Sequence, residues 1–295
     1  MPQTARVSGV RSRTLNSDSP ADAVGVAGQL PSVTPILRWA GSKRKILPVL
    51  ADFWKPSYRR YVEPFAGSAA LFFKLQPEKA LLGDINSALM EAYEVIRERP
   101  DDVHRAVSAI ERTEREYYRV RDRSSSRLKA FGRAVRFVYL NRYCFNGIYR
   151  TNRDGHFNVP FAHKKPGVIP PIEDFRRSAA LLQSAALKAG DFGEVLSAVQ
   201  ANDFVYVDPP YAVESRRVFR EYDRREFSKR DLERLAAHLS TMDRKGAAFV
   251  VSYADCREAR ELFSRWSIRR IAVRRHIAGF VSARRNAIEL LVTNT

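Results

Sequence analysis

Residues 61–84, YVEPFAGSAALFFKLQPEKALLGD, decide how this chain folds. Residues 61–63 read as a short apolar strand ending in the acid Glu63. Pro64-Phe65-Ala66-Gly67-Ser68 reads as a turn, and residues 69–75 as a helix. Residues 80–82 form a second apolar strand ending at Gly83-Asp84, and a helix over 86–99 follows. A strand–turn–helix–strand unit of this kind builds parallel sheets, so the fold class is α/β with a Rossmann-like sheet.

Upstream, residues 1–33 are rich in Ser, Ala, Gly, Val and Pro without helical or strand period, and read as a disordered tail. Downstream, residues 101–143 read as mostly helical, most clearly over 130–143. Residues 144–171, CFNGIYRTNRDGHFNVPFAHKKPGVIPP, are dense in turn formers. So long a stretch is either functional or disordered, and the interleaved Phe145, Tyr149, Phe157 and Phe161 argue against disorder. A helix over 172–187 comes next, then a buried strand over 204–207 running into Asp208-Pro209-Pro210-Tyr211. Ser228 is a good N-cap for a helix ending near Met242. Strands follow over 248–252, 268–273 and 288–292, the last two as a hairpin closing the sheet. There is no internal repeat.

The chain carries 51 Lys and Arg against 33 Asp and Glu, a formal net charge of +18. A surface that basic attracts polyanions. The charge is blocked: residues 119–136 hold seven bases and one acid, and residues 265–285 seven bases and no acid. Blocks of that kind suit a surface that tracks phosphates. Cys144 and Cys256 lie far apart and show no metal-ligand spacing, so neither a disulfide framework nor a metal site is expected. No apolar run approaches a membrane span and the first residues lack a signal-peptide core, which reads as a cytoplasmic protein.

Three groups of residues point to chemistry. Asp208-Pro209-Pro210-Tyr211 follows an apolar strand, at the end where open α/β sheets place ligands. The prolines stiffen the turn and leave carbonyls free of local amide partners. An Asp carboxylate, a fixed carbonyl and an aromatic face suit a planar heterocycle bearing an amine. The second group is Glu63 and Asp84 at the ends of the first two strands; an acid in Asp84's place typically binds ribose hydroxyls. The turn is not GxGxxG, and a nicotinamide enzyme stays open on these residues alone. The third is Leu37-Arg38-Trp39-Ala40-Gly41-Ser42-Lys43, where an indole, a glycine and an ammonium stand together.

LRWAGSK, VEPFAGSAALFF, LGDIN, LNRYCFNGIYR, GHFNVPF and VYVDPPYA occur in the order found in the Dam-like DNA adenine methyltransferases, which the chain resembles over roughly residues 36–293. The resemblance implies a Rossmann-like S-adenosylmethionine-dependent methyltransferase sheet with an inserted, mostly helical DNA-recognition domain and a β-hairpin. It implies a catalytic domain over 34–98 and 185–295 and a recognition insertion over 99–184. It implies S-adenosylmethionine as methyl donor, held by Trp39, Ala40, Gly41, Lys43, Glu63, Pro64, Phe65, Gly67, Asp84, Asn86, Asp191, Phe192 and Asp208. Asp191 and Phe192 would bracket the donor's adenine, and Asp208, Pro209, Pro210 and Tyr211 would form the catalytic motif. Phe145 and Asn146 would enter the duplex beside a displaced base, Arg142 would touch the DNA backbone, Arg150 would read a base, and Pro160 would sit in the recognition hairpin.

The expected partner is double-stranded DNA, with GATC as the site by family analogy, a cognate restriction endonuclease as a candidate partner, a monomer as the default state, and neither membrane nor metal. Two departures stand out: Ala69 and Ser42 occupy positions where the family usually has glycine. HIAGFVSARR near the C-terminus also differs from the family's Asn/Gly-rich loop. The Asp-Pro-Pro-Tyr logic serves any exocyclic amine, so cytosine in DNA and adenine in RNA remain alternative targets. A carbon-5 cytosine enzyme would need a cysteine nucleophile after proline, whereas Cys144 follows Tyr143 and Cys256 follows Asp255. A DNA binder without catalysis would have no need to keep Lys43, Asp84, Asp208 and Tyr211 together.

Overall fold

The computed structural model describes residues 33–41, 43–152, 154–164, 166–211, 227–274 and 286–295. The expected tail lies outside the described residues except for Val33, which is buried in the core. Ser42 and HIAGFVSARR also lie outside them.

Seven strands form one sheet: β1 (Arg60–Glu63), β2 (Ala80–Asp84), β3 (Ala185–Ala189), β4 (Asp203–Val207), β5 (Ala248–Ala254), β6 (Ser267–Arg274) and β7 (Asn286–Thr293). Their spatial order is β3-β2-β1-β4-β5-β7-β6. The first five run parallel, while β7 lies antiparallel between β5 and β6. The order reverses between β1 and β4, the switch point at which such sheets open a crevice beyond their carboxyl ends. Asp84 and Asp208 both stand at that end.

The helices are α1 (Leu47–Ala51), α2 (Ala70–Leu75), α3 (Ser87–Glu98), α4 (Pro100–Ser108), α5 (Glu114–Asp122), α6 (Ala130–Tyr143), α7 (Ile172–Leu182), α8 (Phe192–Ser197), α9 (Lys229–Arg244) and α10 (Arg257–Leu262). Both faces of the sheet are covered, which is why β2 and β4 are buried along their whole length and apolar except for Asp84 and Asp203 at their ends. The two-residue period of β4 divides it cleanly: Phe204 and Tyr206 pack with residues of α2, α3 and α6, while Val205 and Val207 pack with residues of α8, α9 and α10. Asn86 caps α3 by accepting from the Leu89 amide at 3.1 Å, and Ser228 with Asp231 forms a capping box on α9.

Two expected elements are corrected. The helix expected over 172–187 stops at Leu182, and Ala185–Ala189 is the edge strand β3, paired parallel to β2. Ala-Ala-Leu-Lys-Ala favours helix locally, but the polar backbone edge of β2 has to be paired, and that requirement prevails. The helix expected from residue 69 begins at Ala70, because Ala69 is its N-cap in the left-handed region, φ 49° and ψ 36°. The last two strands are antiparallel neighbours as expected, but β7 also pairs with β5 and so lies inside the sheet.

Candidate active site

Asp208 leaves β4 at its carboxyl end. Its Oδ1 accepts from Lys43 Nζ at 2.7 Å and from Ser252 Oγ at 2.8 Å. Ser252 lies on the neighbouring β5, one residue beyond the Val207–Val251 pair, so strand register alone sets it beside Asp208. Burial pushes the Asp208 carboxyl above its ordinary value, although Lys43 and Ser252 pull it down. Burial acts to lower the Lys43 ammonium, but Asp208, Tyr211 and Glu289 outweigh it and hold it above its ordinary value. Lys43 also lies 5.3 Å from the centre of the Tyr211 ring. The Tyr211 hydroxyl donates to Glu289 Oε1 on β7 at 3.2 Å, and its ring packs edge-on against Tyr253. The carboxylate and the aromatic face are thus fixed by groups on three separate stretches of chain. Pro209 is buried and Pro210 exposed.

The turn after β1 is drawn against the end of β2. Asp84 accepts from the Gly67 amide at 3.0 Å and from the Asn86 amide at 2.9 Å. Burial raises its carboxyl, with the two amides acting in the opposite direction. Gly67 has φ 47°, and a Cβ there would come within 2.6 Å of Trp39 Cδ1. Only glycine fits, so bare backbone lies under the indole. Tyr93 donates to the Gly67 carbonyl at 2.8 Å. Glu63 is buried and accepts from Tyr61 Oη at 2.9 Å; burial pushes its carboxyl well up. Pro64 is buried, and Ala40 and Gly41 are exposed beside Trp39.

Asp191 and Phe192 begin α8. Asp191 Oδ1 caps the helix by accepting from the Gly193 amide at 2.8 Å, and it pairs with Arg234 at 2.6 Å. Phe192 stacks on Phe65 with ring centres 5.3 Å apart, and the Arg234 guanidinium lies 4.8 Å from the Phe192 ring. Phe227 approaches both rings at 5.9 Å. The crevice at the carboxyl end is therefore polar at Asp84 and Asp208 and aromatic at Phe65, Phe192 and Tyr211.

Residues 39–277 match the family model of the D12 class N6 adenine-specific DNA methyltransferases. The chain belongs to that family. It is 32% identical over 272 residues to the type II methyltransferase M1.LlaDCHI of Lactococcus lactis subsp. cremoris, covering 89% of this chain and 96% of that protein. It is 30% identical to the type II methyltransferase M.MjaIII of Methanocaldococcus jannaschii, covering 89% and 99%. It is 31% identical to the DNA adenine methylase of Escherichia coli strain K12, covering 86% and 93%.

In this adenine-specific DNA methyltransferase the stretch 144–161 folds back on itself. Cys144 bridges Phe161 and Thr151 bridges Phe157, both antiparallel, and the Phe145 amide donates to the Pro160 carbonyl at 2.9 Å. Phe145 is one of few large apolar side chains left exposed among the described residues, and Asn146 and Pro160 are exposed beside it. Asn146 takes φ 55°, a conformation asparagine tolerates better than most residues. Arg150 Nε donates to Asn158 Oδ1 at 2.8 Å across the fold-back.

Arg142, expected at the DNA backbone, is bonded within the protein. It is buried, its guanidinium donates to the Pro35 carbonyl at 3.0 Å, and burial with Arg38 and Arg44 nearby lowers it to about 10. A side chain so enclosed braces the backbone at Pro35. Residues not anticipated from sequence are Ser252, Glu289 and Arg234, which fix Asp208, Tyr211 and Asp191. Of these Ser252 was within reach, since a hydroxyl ending the strand after β4 must lie beside the strand-end acid.

Proposed function

We propose that this methyltransferase transfers a methyl group from S-adenosylmethionine to the amino group of an adenine rotated out of duplex DNA, with GATC as the candidate site. The observation that carries the reading is Asp208 at the crevice, gripped on one oxygen by Lys43 and Ser252, with Tyr211 anchored beside it.

The residues present fit the donor. Each Asp84 oxygen takes one backbone amide, which leaves acceptor capacity for a ribose diol. The Gly67 turn offers backbone without a side chain, and Phe65 and Phe192 offer apolar rings for an adenine, with Asp191 at their edge. Trp39, Lys43, Glu63, Pro64 and Asn86 complete the proposed cradle. When bound, the donor supplies an electrophilic methyl carried on a sulfonium.

The adenine amine is a poor nucleophile because its lone pair is delocalised into the ring. Asp208 and the Pro209 carbonyl would each accept one of its hydrogens, drawing the nitrogen toward tetrahedral geometry and freeing that pair for attack. Lys43 and Ser252 hold the carboxylate still, so no reorganisation is needed as charge develops. The raised Asp208 carboxyl makes it the better acceptor for the proton that the nitrogen sheds. Tyr211 would stack on the base, and exposed Phe145 would fill the gap left in the duplex, offsetting an unstacking cost of about a few kcal/mol.

The same reading divides the chain into catalytic segments 34–98 and 185–295 and a recognition insertion over 99–184. It also carries a monomeric state, a cytoplasmic location and a cognate restriction endonuclease as proposals. No helix among the described residues is long and apolar enough to cross a membrane. The test is methyl transfer from labelled S-adenosylmethionine to unmethylated duplex DNA, with product nucleosides identified. N6-methyladenine is expected; label in RNA alone or in cytosine overturns the substrate.

A further inference from the structure

Arg38 to Lys43 touch both halves of the machinery. On one side, the Arg38 amide donates to Asn141 Oδ1 at 2.8 Å and the Asn141 amide returns a bond to the Arg38 carbonyl at 2.7 Å. Asn141 is buried near the end of α6, so this two-way clamp ties the strap to the helix that leads into the recognition stretch. Gly147, with φ 65°, presses on the same residue: a Cβ there would come within 2.5 Å of Arg38 Cβ. On the other side, Trp39 covers the Gly67 turn, and Lys43 grips Asp208 at 2.7 Å.

Tyr149 joins the two sides. Its ring stacks on Trp39 with centres 6.1 Å apart and planes 16° from parallel. It also packs against Phe137 on α6 at 5.4 Å and Phe157 of the fold-back at 5.6 Å. Its chain neighbour is Arg150, so a shift of the backbone on engaging a base moves the Tyr149 ring, and that ring lies on the indole.

We infer that Tyr149 is a positioning residue that couples engagement of DNA by the recognition stretch to the methyl-donor crevice through the Tyr149–Trp39 stack. This rests on the reading of Arg150 as a base reader and of S-adenosylmethionine as the donor. The indole lies between the Gly67 turn and the Tyr149 ring. Packed aromatic contacts of this kind pass displacement on because close-packed interiors do not deform continuously. The phenol hydroxyl is not needed for the stack; the ring is.

The test measures binding of S-adenosylhomocysteine to the full chain by calorimetry, with and without an unmethylated duplex carrying the mapped methylation site. The unaltered protein and Tyr149→Phe are expected to bind at least about fivefold more tightly with duplex present, the low end of ordinary couplings. Tyr149→Leu is expected to match them without duplex and to lose most of the gain with it. A full gain retained by Tyr149→Leu, or no gain in the unaltered protein, overturns the coupling and leaves the donor reading intact. Failure of the unaltered protein to bind S-adenosylhomocysteine in either condition overturns the donor reading and the coupling with it. A second readout leaves Tyr149 in place. With Trp54 and Trp266 changed to Phe, Trp39 is the one indole of the three left, and duplex alone must shift its emission. Constant emission overturns the proposal.

Discussion

Asp203 and Asp208 stand at opposite ends of β4 and have opposite surroundings. Asp203 is wholly buried, and its Oδ2 accepts from Arg59, Arg60 and the Gln200 amide at 2.9–3.0 Å. Asp208 is reached by one ammonium and one hydroxyl, keeps 19% of its side chain accessible, and has its carboxyl held above the ordinary value. The first acid gathers three donors on one oxygen and locks β1 and β4 to the loop before them. The second retains acceptor capacity and opens on the crevice. One strand thus carries a buried acid held by two guanidiniums and an amide, and an acid at the crevice that is proposed to react; accessibility separates them.

The sharpest way to break this comparison is to remove each acid in turn. Asp208→Ala is expected to lower methyl transfer on the order of 10⁴-fold, about 5 kcal/mol of barrier, with duplex binding retained. Near-normal single-turnover rates would remove Asp208 from the chemistry. Asp203→Ala is expected to act on stability, by about 1–3 kcal/mol, because it removes the buried acceptor shared by Arg59, Arg60 and the Gln200 amide. Denaturant unfolding measures it, and an unchanged midpoint would mean that the lock is ornamental. Ser252→Ala lies between them: it removes one donor from Asp208, so turnover should fall about tenfold, or 1.4 kcal/mol. Its acid limb should also move to higher pH, since Ser252 pulls the Asp208 carboxyl down. An unmoved pH–rate profile would contradict that.

The smaller effects concern the turn after β1. Glu63 has its carboxyl raised well above 4.5 by burial. Its native form binds a proton more tightly than its unfolded form, so its stabilising contribution is full below 4.5 and is lost as pH rises through the folded value. Glu63→Gln should therefore gain on the unaltered protein with rising pH, and a gap independent of pH in thermal melts would refute this. Ala69→Gly should stabilise by about 1 kcal/mol, because an alanine at φ 49° is strained where glycine is not. A lower melting temperature for that variant would show that the methyl group packs better than the strain costs.

Much of this was legible in the sequence for a definite reason. β1, β2 and β4 are parallel strands buried on both faces, so they announce themselves as unbroken apolar runs, and the acids at their ends mark the crevice. α6 matched its expected bounds because its apolar positions recur with a helical period between polar flanks. Of β3 only a short strand end before Asp191 was legible, through the family resemblance, since Ala-Ala-Leu-Lys-Ala carries no strand signal of its own and is a strand through β2. The burial of Arg142 was not legible, because a basic residue in a recognition stretch carries no local sign of enclosure. Arg234 and Glu289 were hidden for another reason: each serves a residue far away in the chain, and nothing local marks such a partner. Ala69, by contrast, was visible as a departure from the family's glycine, and its positive φ gives that departure a physical meaning.

The position of β7 has a consequence for how the chain reaches its fold. During synthesis β6 emerges first, but its neighbour in the sheet is β7, so β6 has nothing to pair with until the strand after it is made. Over that interval the β5 edge and the β6 edge are both open, and each is a template for another unfinished chain. β7 also carries Glu289, the anchor of Tyr211. The Tyr211–Glu289 bond therefore forms only as the sheet closes.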